Sequence, residues 1–432
     1  GVFTDEPNLF VPSGLPWTDD LPQRFEERWG HPLLENLPCL FRPVGDWRHI
    51  RHHFFQLVLE LFIERWAKPY HDYCAKYGME FTGHYWEHGW PNVAHGPDSM
   101  AMYAWHQRPA IDILFNQYKE DTNAQFGNVR SVRELASVAN QTGARRTLCE
   151  TYGGGGWDLR FEDMKRIGDW IYALGVNTLN EHISPVTMRG ARKRDYPQFF
   201  TAHEPWWDGY HTLERYFTRL SLVLSSGRQQ NDILILEPTT TAWLHQSTFD
   251  PSQKDALATL GSSFFEVLMS LERTQVPYDI GSEDILARMG SVEKGALRVG
   301  QASYTTFVIP PNTENLNGKT VDLLSAFAAA GGAIICCGEP PALVDGQSSE
   351  APTILSKCRV WSCAETAELP ARLAERNRSP IRIKRDAADT GILFQHHRRL
   401  DHGDFLFLVN TSIEKPSSGE VVAAGFQGIE SW

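Results

Sequence analysis

The stretch Arg146–His182, RTLCETYGGGGWDLRFEDMKRIGDWIYALGVNTLNEH, decides the fold class. Arg146–Glu150 reads as a short strand that ends on a carboxylate, and four consecutive glycines, Gly153–Gly156, turn the chain. Phe161–Leu174 then places apolar residues at helical spacing and is closed by Gly175. Val176–Leu179 is the next strand, running into Asn180-Glu181-His182. Strand, loop, helix and strand in succession, with polar residues at the carboxyl ends of the strands, make the repeating unit of a parallel α/β domain.

The same texture extends upstream. Val2-Phe3-Thr4 is a strand fragment that ends in Asp5-Glu6-Pro7. Ile50–Tyr77 reads as a helix with Phe54, Leu57, Val58, Leu61 and Phe62 on one face, stopped by Gly78. Met79–Tyr85 is a strand that delivers His84, Glu87 and His88 to a loop, and Ala110–Phe115 is a weaker strand. Val129–Thr142 and Trp207–Ser225 are helices. Downstream, Ile233–Leu236 is continuously apolar, as in a strand buried on both faces. The helix Gln253–Thr274, the strands at Tyr278–Ile280, Thr306–Ile309 and Ala333–Cys336, and the helix Lys319–Ala330 complete a doubly wound unit. Its first strand is followed by Glu237-Pro238-Thr239 and not by a glycine fingerprint, which argues against a nucleotide role. Phe405–Asn410 opens an all-β texture.

The chain has 432 residues, enough for about three domains. It is 42% hydrophobic and carries a formal charge of −12, which excludes a disordered chain and argues against nucleic acid as a partner. Its longest weakly polar stretch, Ala326–Cys337, is too short for a membrane span and contains two glycines. The seven cysteines form no C-x-x-C pair, so neither a zinc knuckle nor a disulfide framework is indicated. Eleven of the 14 Trp and 11 of the 16 His fall in the first 210 residues. Beside loop carboxylates, such rings suit a carbohydrate cleft, because sugars offer C–H faces for stacking and hydroxyls for polar groups.

In a parallel barrel the strand ends open on one face, so Asp5-Glu6, Glu87, Glu150 and Glu181 can converge there. Glycosidic hydrolysis needs two opposed carboxyls, and Glu6 and Glu150 each follow an apolar strand and precede a chain breaker. Asp5, His84, Glu87, Glu181 and His182 are expected to bind substrate, with the loop residues Trp157, Trp206 and Trp207 as stacking platforms. Arg48–His53 reads as a solvated helix start. The Gly153–Gly156 run lacks a P-loop lysine, and no G-x-S-x-G elbow is present.

Gly1–Pro7 resembles the fourth-strand acid motif of barrel glycosidases of clan A, with Asp5 where Asn is usual. Cys149–Gly154 resembles their seventh-strand glutamate motif. Phe161–Trp170, Leu174–Asn177 and Glu181-His182 are similar to the helix and eighth strand of the α-L-rhamnosidases of glycoside hydrolase family 106. Tyr278–Ile280, Val308–Pro311 and Ala330–Ala333 look like the flavodoxin-like domain that follows there, and Leu408–Ser412 like the opening of its next β-domain. The short motifs are shared with family 42-like β-galactosidases. The resemblance implies Glu6 as general acid and Glu150 as the opposing carboxylate. It also allows Glu150 as a calcium ligand, with Glu181 then the candidate base; the residues alone also offer Glu181 as a partner of Glu150 in holding a hard cation such as calcium through oxygen atoms. The sequence itself requires no cofactor. Carboxyl separations of about 5–5.5 Å would mean retention and about 6.5–9.5 Å inversion.

The expected architecture is α/β: a (β/α)8 barrel portion over residues 1–228, a flavodoxin-like domain over 229–375 and the start of a β-sandwich module over 376–432. If Glu6 ends a fourth strand, the chain is an internal stretch of a larger enzyme whose first strands precede it. The expected function is an exo-acting glycosidase with an oligosaccharide or glycoside substrate, α-L-rhamnosidase first. The alternatives are a retaining β-galactosidase or β-mannosidase-like enzyme of clan A, or a non-catalytic carbohydrate-binding protein on the same fold. A homo-oligomer is compatible with the composition, and the family suggests a secreted or periplasmic bacterial setting.

Overall fold

The computed structural model describes residues 1–114, 129–247, 250, 252–358 and 361–431, with the side chains of Glu87, Ile354, Trp361, Cys363 and Ala364 also outside the description. Phe115, expected in a strand, and Glu87, expected in the site, therefore lie outside what is described.

Five short parallel strands carry the first unit. β1 (Val2–Thr4) pairs with β2 (Phe81–Gly83), and β3 (Ala110–Ile113), β4 (Leu148–Thr151) and β5 (Leu179–Glu181) form a second parallel group beside β2. The helices Val129–Thr142 and Phe161–Leu174 connect β3 to β4 and β4 to β5, and Trp207–Leu224 follows β5. β5 starts at Leu179 and not at Val176. The Val176 amide is still bonded to Ile171, and the Asn177 side chain bridges the Arg145 carbonyl and the Thr147 amide, so the chain bends before it can pair. The long helix expected over Ile50–Tyr77 is Trp47–Phe62 and Lys68–Lys76, joined by a π-helical turn at Ile63–Ala67. Pro69 has no amide to offer the preceding turn, and the wider turn accommodates that loss. Leu21–Trp29 and Leu33–Phe41 are helices that the sequence pattern did not reveal.

The second unit is a five-stranded parallel sheet. Ile233–Leu236 lies between Asp279–Gly281 and Thr306–Ile309, followed outward by Ala333–Cys337 and Trp361–Ala364. In chain order this is 2-1-3-4-5, the order of flavodoxin-like sheets. The side chains of its three inner strands are buried throughout, which is why these strands read as largely apolar runs.

An antiparallel hairpin, Leu393–Leu400 with Gly403–Asn410, takes Arg228–Gln229 as its edge strand and packs against the Phe161–Leu174 helix. A second antiparallel pair joins Ile381–Arg385 to Gly419–Ala423. One continuous hydrophobic cluster joins the helices and the β3 and β4 strands of the first unit to the five-stranded sheet and the Leu393–Asn410 hairpin. The Val129–Thr142 helix shows how they join. Most of its polar side chains are buried too, because they face the second unit: Ser137 Oγ accepts from the Ile280 amide (2.7 Å), Gln141 donates to the Ile280 carbonyl (2.9 Å), and Arg133 grips both oxygens of Glu272 on the Ser252–Arg273 helix (2.7 and 2.8 Å). Among the described residues, no helix is long and apolar enough to cross a membrane.

Candidate active site

The carboxyl ends of β1–β4 deliver their side chains to one point, centred on a histidine. β2 ends at Gly83, whose φ of 127° and whose approach to β1 leave no room for a side chain: a Cβ there would lie 2.1 Å from the Thr4 carbonyl oxygen. That close approach lets the His84 amide donate to the Thr4 carbonyl (3.2 Å) and fixes the imidazole beyond it, 2% exposed. His84 Nε2 donates to Glu150 Oε2 at 3.1 Å and lies 3.7 Å from Asp5 Oδ1, with Phe3 edge-on to the ring at 5.7 Å.

Glu150 is buried (8% exposed) and bracketed by a second imidazole, since His182 Nε2 lies 3.9 Å from its Oε1. The register explains this gathering. Asp112, Glu150 and Asn180 stand opposite one another on β3, β4 and β5, so all three project from one face. Ligand atoms of Glu6, His84 and Asp112 lie within 4.8 Å of one another, and so do those of Asp5, His84 and Glu150. Four carboxylates on one histidine form a centre that can donate a proton, accept one, or hold a cation. Calcium takes oxygen donors, and Asp5, Glu6, Asp112 and Glu150 supply them, so the residue set fits that ion.

Asp112 was missed in the sequence. Its signal is an acid inside the apolar run Ala-Ile-Asp-Ile, where a lone charge on a buried strand marks the inward face. Glu181 is the converse case. Thr151, not Glu150, stands opposite it, so Glu181 projects from the other face of the sheet. There it accepts the Tyr210 hydroxyl at 2.7 Å, within the helix layer. The structure therefore corrects the expectation that Glu181 joins Glu150 as base or calcium ligand.

The rings divide in the same way. Trp157 is 52% exposed, edge-on to Phe199, and remains available as a platform beside the glycine loop. Trp206 and Trp207 pack against the core among Phe161, Phe200 and Tyr210, and Trp207 is the first residue of a helix, not part of a loop. Two rings not singled out in the sequence, Phe10 and Trp86, are exposed and each stacks on His95 at 4.8 Å. They follow Glu6 and His84 on adjacent strand-end loops.

Residues 13–426 match the family model for glycoside hydrolase 106, described as alpha-L-rhamnosidase. The matched stretch includes Glu150 and begins after Glu6. A rhamnosidase from Novosphingobium sp. PP1Y shares the fold with a TM-score of 0.66 at 17% identity, over 91% of this chain and 38% of that one. A family 42 exo-carrageenase from Bacteroides ovatus gives 0.60 at 11% identity, over 90% and 56%. A beta-galactosidase from Bacillus circulans sp. alkalophilus gives 0.54 at 12% identity, over 95% and 59%. A Formosa agariphila protein provisionally named a beta-glucuronidase is 24% identical over 234 residues, 51% of this chain and 18% of that protein. The chain thus spans well under two thirds of each of these relatives.

Proposed function

The chain belongs to glycoside hydrolase family 106, and we propose that it carries the reaction centre of an exo-acting α-L-rhamnosidase with Glu6 and Glu150 as the working carboxyl pair. The observation that carries this reading is the convergence of Glu6, Asp112, Glu150 and Asp5 on one buried histidine at the strand carboxyl ends. Glu6 gives its proton to the glycosidic oxygen as the bond to the terminal sugar breaks. Glu150 faces the anomeric carbon as nucleophile, or takes a proton from the attacking water. His84 and His182 hold the Glu150 carboxylate in place.

The nearness of Asp5, His84 and Glu150 supports a second reading, in which Asp5 and Glu150 hold calcium. A bound calcium would fix sugar hydroxyls and offset the crowded negative charge. Glu6 remains the acid in that case.

The test uses nitrophenyl α-L-rhamnoside beside a panel of other nitrophenyl glycosides. Glu6→Gln and Glu150→Gln should each lower kcat by about 10³-fold or more with an unchanged melting temperature. Near-wild-type turnover of Glu6→Gln would overturn the assignment of the acid. Loss of activity in a chelator, restored by calcium in the wild type but not in Glu150→Gln, selects the calcium reading. NMR of the first-formed anomer separates retention from inversion. Binding of rhamnose with hydrolysis of no glycoside in the panel would make the protein a carbohydrate-binding one.

A further inference from the structure

A histidine cluster stands apart from the strand-end carboxylates, where the first three helices meet. His49 and His53 are four residues apart on the Trp47–Phe62 helix, so both project from one face. His31 comes from the turn after the Leu21–Trp29 helix, where Gly30 takes a φ of 75° and reverses the chain. The run Arg48–His53, expected to be solvated, instead has Arg51, His52 and His53 buried.

One ring nitrogen of each of His31, His49 and His53 lies within 4.8 Å of the other two, and His31 Nε2 faces His53 Nδ1 at 3.2 Å. His49 Nδ1 lies 2.8 Å from the carbonyl oxygen of Asp345, which can only accept. The hydrogen of a neutral His49 is therefore on Nδ1, which leaves Nε2 with the free lone pair a metal needs. A metal-binding imidazole is commonly oriented by this kind of outer hydrogen bond. The rings are also held by apolar packing. Trp29 lies flat on His53 at 3.7 Å with an interplanar angle of 6°, and Phe25 meets His31 edge-on at 5.1 Å.

The donor set fixes the class of ligand. Three imidazole nitrogens suit a borderline ion such as Zn²⁺, whereas calcium and magnesium take oxygen. Tetrahedral bonds of about 2.0–2.1 Å place neighbouring ligand nitrogens roughly 3.3–3.4 Å apart, close to the 3.2 Å between His31 and His53.

We propose that His31, His49 and His53 bind one divalent transition ion of the zinc class, with water completing its coordination. The ion takes the place of the hydrogen shared by His31 and His53. It ties the turn at His31 to the Trp47–Phe62 helix and, through the Asp345 carbonyl, to the second α/β unit. Its role is that of a clamp, separate from the reaction at Glu6 and Glu150.

The full chain, stripped with a chelator and desalted, is titrated with Zn²⁺ by calorimetry and with Co²⁺ by visible absorption. The strand-end carboxylates can also attract cations, so Glu150→Gln is titrated in parallel. One Zn²⁺ per chain should bind in both proteins with a Kd below about 10 μM, and it should raise the melting temperature of both. His49→Ala and His31→Asn should weaken this binding by about 30-fold or more and abolish the thermal shift. His31 sits on a turn, so its variant tests the site even if His49→Ala perturbs the helix. Absence of binding in the wild type overturns the proposal. So does binding that survives both histidine variants, or binding that disappears in Glu150→Gln.

Discussion

His84 sits among the carboxylates of Asp5, Glu6, Asp112 and Glu150. It donates to Glu150 at 3.1 Å and lies 3.7 Å from Asp5, so it holds the Glu150 carboxylate in one orientation. We treat it as a positioning residue, because it acts through Glu150. His84→Asn should lower kcat by about 10²-fold with KM little changed, and should move one limb of the pH–rate profile. A purely structural role would instead lower stability and leave the surviving profile in place. Glu6 and Glu150 were legible in the sequence as candidates because each stands between an apolar run and a breaker, a local pattern. Asp112 and Glu181 were not, because their roles depend on register. Asp112 faces Glu150 only through the pairing of β3 with β4, and Glu181 turns away only because Thr151 stands opposite it. A three-residue strand carries no alternation long enough to show which face is inward.

Among the elements, the β1–β2 pair and the Val129–Thr142 helix each depend on one contact. Gly83→Ala would place a methyl 2.1 Å from the Thr4 carbonyl at a φ of 127°. The two strand ends must part, which should cost roughly 2 kcal/mol or more in urea denaturation and carry His84 away from Glu150, so activity falls with stability. Arg133 is buried with Glu272, and it also donates to the Leu174 carbonyl at 3.2 Å. Arg133→Met leaves a buried carboxylate that has lost its cation and keeps the Tyr278 hydroxyl (2.9 Å), a loss of about 3–5 kcal/mol. The double variant Arg133→Met/Glu272→Leu should lose markedly less, because no unpaired charge remains; equal losses would show that the pair itself is not the cause. The helical periodicity of Val129–Thr142 was plain in the sequence, as was its start and end. Its partner was not. Buried Arg, Ser and Glu on a helix look like a solvated face until a second sheet is found against them.

At the scale of the molecule, the junction between the two α/β units holds carboxyls that burial keeps reluctant to ionise. Asp98 caps the Ala101 amide and accepts the Ser282 hydroxyl, yet desolvation, with Glu237 nearby, pushes its pKa up to about 7. Burial likewise raises Glu283 to about 7 and Asp279 to about 6. A carboxyl whose folded-state pKa is raised contributes stability below its unfolded value, near 4, and loses it as pH rises through the folded value. The buried histidines work in the opposite sense. Burial lowers His53 to about 2 and His106 to about 3, so their contribution is present above an unfolded value near 6.5 and is lost as pH falls below it. The two sets oppose each other between about pH 4 and 6.5, and only the carboxyls act between about 6.5 and 7. Between about pH 6.5 and 7, where the histidines no longer titrate in either state, the raised carboxyls should therefore make stability fall as pH rises. The contribution of Asp98 is isolated by comparing the wild type with Asp98→Asn in urea between pH 5 and 8. The amide keeps an acceptor for Ala101 and never ionises, so the variant should gain on the wild type as pH rises, by up to about 3 kcal/mol across that window. A difference that stays constant with pH would mean that Asp98 ionises in the folded chain as readily as in the unfolded one.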